Sequence, residues 1–202
     1  MSDVPPSSTA SKPTTFRVYP AGSDDWWRLL DVDTGETTDV PWSAFADLDL
    51  DLDLQAGSLV DAALSSYGSE VVVETATLLS ATRFRFERTS APVFEAAREC
   101  FRDARAAGDA MNSRVTYDTD GQPNGVVYTF ADAPGGDRFA EFRDARRPLE
   151  PLLDRAAGSD VADPPFSVWV LDADEPFVLV YVVLDPDGLL ERTMRTTYLG
   201  TD

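Results

Sequence analysis

Ser167–Tyr198 reads SVWVLDADEPFVLVYVVLDPDGLLERTMRTTY, and the punctuation of this stretch decides the fold class. Two apolar runs, SVWVL (167–171) and FVLVYVVL (177–184), are separated by Asp172-Ala173-Asp174-Glu175-Pro176. Asp185-Pro186-Asp187-Gly188 then leads into LLERTMRTTY (189–198). Clusters of Asp, Pro and Gly between apolar runs are turn signals, because these residues take up turn geometry at little cost. The stretch therefore predicts three consecutive strands of an antiparallel sheet. FVLVYVVL is the longest apolar run of the chain, far short of the ~20 residues that a membrane helix needs.

Upstream, strands and helices alternate. Ser90-Ala91-Pro92 reads as a helix start, with serine at the N-cap and proline in the first turn, and Gly108 stands just past the end. RVTY (114–117), the turn DTDGQPN (118–124) and GVVYTFAD (125–132) form a hairpin. Asp137 caps a second helix through RFAEFRDARR (138–147), which Pro148 kinks or ends, and Pro151 opens a further turn, PLLDRAAG (151–158). Residues 90–202 thus read as an α-β-β-α-β-β-β part.

Residues 15–89 are dense in strand signals instead. FRVY (16–19), WWRLLDV (26–32) and TTDVPW (37–42) are strands, the last two joined across Asp33-Thr34-Gly35-Glu36. SLVDAALSSY (58–67) alternates and turns at Tyr67-Gly68-Ser69; VVVETATLLSATRFRFER (71–88) is one long strand or two shorter ones. Five or six strands in so short a stretch predict a small β-barrel-like domain. Residues 1–14, rich in Pro, Ser and Thr, read as a disordered tail. The expectation is an α+β protein of two parts, with a boundary near residue 90.

Charge sets the chemistry that remains available. The 202 residues hold 36 acids against 17 bases, for a net charge of −19. Aspartate (26) far outnumbers glutamate (10), arginine supplies 16 of the bases, and there is no histidine. Such a chain repels itself unless salt screens it. At about 1 M salt the Debye length is roughly 3 Å, so the composition fits a molar-salt cytosol. No basic, apolar leader marks the N-terminus, and the expectation is a halophilic, cytoplasmic protein.

Missing residue types exclude reactions. Without histidine there is no Ser-His-Asp or Cys-His unit, and a zinc site is not expected. The single lysine, Lys12, lies in the tail, away from any phosphate loop. The single cysteine, Cys100, cannot form an internal disulfide and lies at helical spacing from Val93 and Ala97, as a buried small hydrophobe does. No cofactor or metal is expected. The run Asp47–Leu54, DLDLDLDL, opens like a calcium loop but has Leu52 where the turn glycine belongs and Ser58 where the closing glutamate belongs. It reads as an amphipathic segment with leucine inward.

Nine of the 17 bases fall in residues 91–158, against 12 acids. Arg98, Arg102 and Arg105 form a helical stripe, and Arg143, Arg146 and Arg147 lie within one turn. Arginine suits bidentate recognition of anions, whereas Glu95, Glu99, Asp103, Asp144 and Glu150 are positioned to neutralise these groups by intrachain pairing. Candidate ligand or anion contacts are Asn112, Arg114, Tyr117, Asn124, Tyr128, Arg143, Arg146 and Arg147, clustered in sequence around one hairpin and the helix after it. In the N-terminal part, Phe84 and Phe86 share a face opposite Arg83 and Arg85. Adjacent Trp26 and Trp27 face opposite ways, so one of them meets solvent or the second part.

The segments AMNSRVTYDTDGQPNGVVYTFAD (110–132), FRDARRPLEPLLDR (142–155) and ADEPFVLVYVVLDPDG (173–188), together with GSLVDAAL (57–64) and ATRFRF (81–86), resemble a family of haloarchaeal proteins. The resemblance implies halophily and this architecture, and it supplies no catalytic residue to carry over. The expected function is non-enzymatic binding or interaction, with nucleic acid or another protein as partner, or a homodimer built on an exposed Trp26 or Trp27. The alternative is a Mg²⁺-dependent phosphoester hydrolase, which requires Asp118, Asp120 and one of Asp172, Asp174 or Glu175 to meet in one pocket.

Overall fold

The computed structural model describes residues 12–23, 25–46, 48, 54–67, 70–132, 135–158 and 164–200. Among these described residues, two five-stranded sheets and five helices make an α+β fold. The first sheet holds β1 (Thr14–Pro20), β2 (Trp26–Asp31), β3 (Thr37–Pro41), β4 (Leu59–Tyr67) and β5 (Glu70–Ser80), in the order β3-β2-β1-β4-β5 and antiparallel throughout. One face buries Phe16, Val18, Leu29, Val40, Val60 and Val73 around Phe45 of the short helix α1 (Ser43–Ala46). No ladder joins the edge strands β3 and β5, although α1 touches both, so no closed barrel forms among the described residues. Most of the tail (1–11) and of the Asp/Leu run lies outside the described residues; Leu48 and Leu54 of that run pack into this core.

RFRFER does not belong to the first sheet. It forms β6 (Arg83–Arg88) and pairs in parallel with β9 (Ser167–Asp172), giving a second sheet of order β6-β9-β10-β8-β7. Gly57 permits the crossing. A Cβ there would lie 2.6 Å from the Phe84 nitrogen, and its φ of +97° is open to glycine alone at low cost. The Phe84 amide then donates to the Ala56 carbonyl at 2.7 Å.

The remaining elements are α2 (Glu95–Ala107), β7 (Met111–Tyr117), β8 (Pro123–Ala131), α3 (Arg138–Arg143), α4 (Glu150–Ala157), β10 (Phe177–Val183) and α5 (Leu189–Leu199). Strand β10 is buried on both faces. Val178, Val180 and Val182 face a core shared with α3, α4 and the first sheet's Tyr19 and Leu30. Phe177, Leu179, Tyr181 and Val183 face α2 and Met194 of α5. At about 25 cal/mol per Å² of apolar area, this double burial is the main force assembling the layers.

Three local expectations change. The first helix starts at Glu95, with Phe94 rather than Ser90 at its N-cap, while Gly108 ends it in the left-handed region as the sequence indicates. Asp137 caps α3 by accepting the Ala140 amide at 2.9 Å, but the helix stops at Arg143, before Pro148. The largest correction is LLERTMRTTY, which is a helix and not a third strand. Its threonines suggest a strand by propensity. Their hydroxyls instead donate back one turn, Thr193 to Leu189 at 2.9 Å and Thr197 to Thr193 at 2.8 Å. Leu190, Met194 and Tyr198, at i, i+4 and i+8, then lie on one face against the sheet. Among the described residues no helix is long and apolar enough to cross a membrane.

Candidate functional site

Most of the clustered arginines are paired within the chain. Arg114 reaches both Glu99 and Asp103 at 2.6 Å. Arg143 and Arg146 share Asp144 at 3.0 and 3.5 Å, and Arg147 meets Glu141 at 3.2 Å. Along α2, Arg98 pairs with Glu175 at 2.7 Å and Arg102 with Glu95 at 2.8 Å. Exposed pairs of this kind are each worth roughly 0–1 kcal/mol, so they neutralise a surface more than they build it. The hydrogen bond that Arg114 donates to Glu99 raises the Arg114 pKa further. The four arginines nominated from sequence, Arg114, Arg143, Arg146 and Arg147, each have a carboxylate partner and do not converge on one anion site.

Nor do the eight residues nominated from sequence converge. Asn112 donates to the Cys100 carbonyl at 3.1 Å and accepts the Ser113 amide, so it ties β7 to α2. Tyr128 is fully buried on the opposite face and donates to the Leu152 carbonyl at 3.0 Å. Tyr117 and Asn124 come together at one end of the second sheet, beside the start of α5, where they border a cavity of about 440 Å³. Tyr117 is 61% exposed there, and Asn124 accepts the Thr116 hydroxyl at 2.8 Å. Cys100 is buried, and desolvation pushes its thiol up, away from reactivity.

The acids required for hydrolysis lie at opposite ends of the sheet. Asp118 and Asp120 sit in the β7–β8 turn, at the end where Gly125 pairs with Val183. Asp172, Asp174 and Glu175 sit at the other end, where Ala131 pairs with Phe177. Six residue steps lead from Gly125 to Ala131, about 20 Å at ~3.3 Å each. Among the described residues no group of three acids or cysteines is disposed to hold a metal ion.

A groove of about 400 Å³ lies between the β1–β2 turn and the outer edge of β6. Pro20, Ala21 and Trp26 border it on one side; Phe84 and Phe86 border it on the other. Strand alternation explains the lip. Trp27 follows Leu29 onto the inner face and meets Trp42 edge-to-face at 6.1 Å. Trp26 points the other way and is 45% exposed. Phe84 is buried and Phe86 packs against the same core, with Phe139 of α3 at 6.3 Å. Arg85 takes the opposite face, over the Trp169 ring at 5.2 Å. Glu87 and Arg143 also border the groove, and desolvation pushes the Glu87 carboxyl up from its ordinary range.

The adjacent tryptophans pointed to this lip. The β6 edge was not legible, because its neighbour β9 lies some 80 residues further along the chain.

The model of the family of unknown function DUF6663 matches residues 8–202, and the chain belongs to that family. No curated protein and no solved structure matches it.

Proposed function

We propose that this member of the family is a non-catalytic binding module that captures a polypeptide partner in the groove between the β1–β2 turn and β6. The exposure of Trp26 beside Pro20, Ala21, Phe84 and Phe86 carries this reading. Tryptophan is enriched where partners dock, since its ring offers a large contact area with few rotamers to immobilise. A protein partner is favoured over nucleic acid by the pairing of the arginines. Phosphate binding depends on free cationic groups and weakens steeply with salt. The acidic surplus belongs to the same proposal, as adaptation to a molar-salt cytoplasm, where apolar contact still operates and long-range attraction does not.

The test is photo-crosslinking from Ala21 in cells at molar salt, with a crosslinker at exposed Thr196 on α5 as the control. The expected product is a protein adduct from position 21 alone, lost on Trp26→Ala. An adduct with RNA, or equal labelling from both positions, would overturn the reading.

A further inference from the structure

We infer that the groove takes its partner as an extended strand added beside β6, so that the second sheet gains a sixth strand from another chain. This rests on the reading of the groove as a protein-docking site and names the form of the occupant.

The argument starts from the hydrogen bonds of a parallel edge. Arg83 pairs with Ser167 and donates its amide to the Phe166 carbonyl at 2.9 Å. Thr89, past the end of the strand, donates to the Asp172 carbonyl at 2.9 Å. In a parallel ladder alternate residues turn both backbone groups toward the neighbour. The odd-numbered residues of β6 therefore face β9, and Phe84, Phe86 and Arg88 face outward. The Phe84 amide is taken up by Ala56. That leaves the amide and carbonyl of Phe86 and Arg88 on the edge, and no described backbone group pairs with those amides. Sheet edges of this kind accept an added strand, and backbone bonding then supplies affinity while side-chain pockets supply selectivity.

The surroundings specify the occupant further. Pro20 and Trp26 offer an apolar wall across the groove from Phe86. Of the charged residues bordering the groove, Arg85 is held by Glu191 at 3.3 Å, which leaves Arg143 and Glu87 to meet an occupant. Arg143 is half exposed, and its bond to Asp144 uses Nε, so the rest of its fork can donate to an entering carboxylate. The fitting partner is a short extended segment, about five residues long at strand spacing, with aliphatic residues for the apolar wall and an acidic residue within reach of Arg143.

A random-peptide library is selected against the full chain at molar KCl. Enriched peptides should combine aliphatic residues with an acidic one and slow hydrogen exchange at the Phe86 and Arg88 amides. N-methylation of alternate peptide amides should weaken binding at least tenfold, while methylation of the intervening amides leaves it unchanged. Phe86→Pro, which removes the outward amide, should lose more affinity than Phe86→Ala, which keeps it. No enriched peptide, no slowing at those two amides, or tolerance of N-methylation at every position would overturn strand addition. Peptides that need Trp26 but tolerate N-methylation would sink strand addition while leaving the docking groove intact.

Discussion

The Tyr19 phenol donates to the Glu150 carboxylate at 3.2 Å across 131 residues of sequence, and the same oxygen accepts the Leu149 amide at 3.0 Å. Arg17 completes the junction, with Nε on Glu150 at 3.1 Å and a terminal nitrogen on the Gly57 carbonyl at 2.8 Å. Tyr19 is fully buried, and desolvation holds its pKa well above the ordinary value. The two sheets are thus joined by a polar cluster inside a shared core.

Tyr19→Phe removes the phenol and strands the Leu149 amide. A buried donor left unpaired costs about 1–3 kcal/mol. The expected outcome is a lower denaturant midpoint with an unchanged slope, and one cooperative transition for both sheets. Two separated transitions in the wild-type chain would show that the cluster does not couple them.

Glu191 is 1% exposed and accepts the Trp169 indole at 2.8 Å and Arg85 at 3.3 Å. Breaking a buried charged cluster by removing one partner costs roughly 3–5 kcal/mol. Glu191→Ala should therefore shift thermal unfolding by about 6–20 °C at ~2–4 °C per kcal/mol. Glu191→Gln retains an acceptor for the indole and should lose less. Equal losses in the two variants would mean that packing, not the polar contact, secures α5.

Burial raises the Tyr198 pKa to about 12, with Tyr181 adding to the effect. The folded state thus holds the proton more tightly than the unfolded chain, whose tyrosines titrate near 10. This contribution is complete below pH ~10 and is lost as the pH rises through about 12. Chemical denaturation across that window should show falling stability, and Tyr198→Phe should flatten the fall. A wild-type midpoint constant over the window would contradict the assignment.

The charge surplus makes a separate prediction. Lowering KCl from about 3 M to about 0.1 M lengthens the Debye distance from under 3 Å to roughly 10 Å and restores repulsion among the acids. Circular dichroism and the unfolding midpoint should both report loosening in dilute buffer. Unchanged spectra and midpoints would remove the halophilic reading.

What could be read in advance followed from local chemistry. Asp137 as a cap, Gly108 as a helix stop and the Asp118–Gln122 turn are short-range hydrogen-bonding choices, and each is found. The opposed faces of Phe84 and Arg85 follow from the two-residue period of a strand. The pairing of Arg114 with Glu99 and Asp103 rests on which strand packs against α2, so the anion-site expectation had no local means of correction.

The sequence by itself determined the acidic solvent-facing character, the absence of histidine chemistry, the turns and most of the strands, because each depends on composition or on residues within a few positions. Only tertiary structure decided that Leu189–Leu199 is a helix, that β6 leaves the first sheet to lie parallel to β9, and that Trp26 and the β6 edge enclose one groove. Those outcomes depend on which apolar faces find each other across tens of residues of sequence. Propensities of about 1 kcal/mol or less are overridden there by burial against a distant partner.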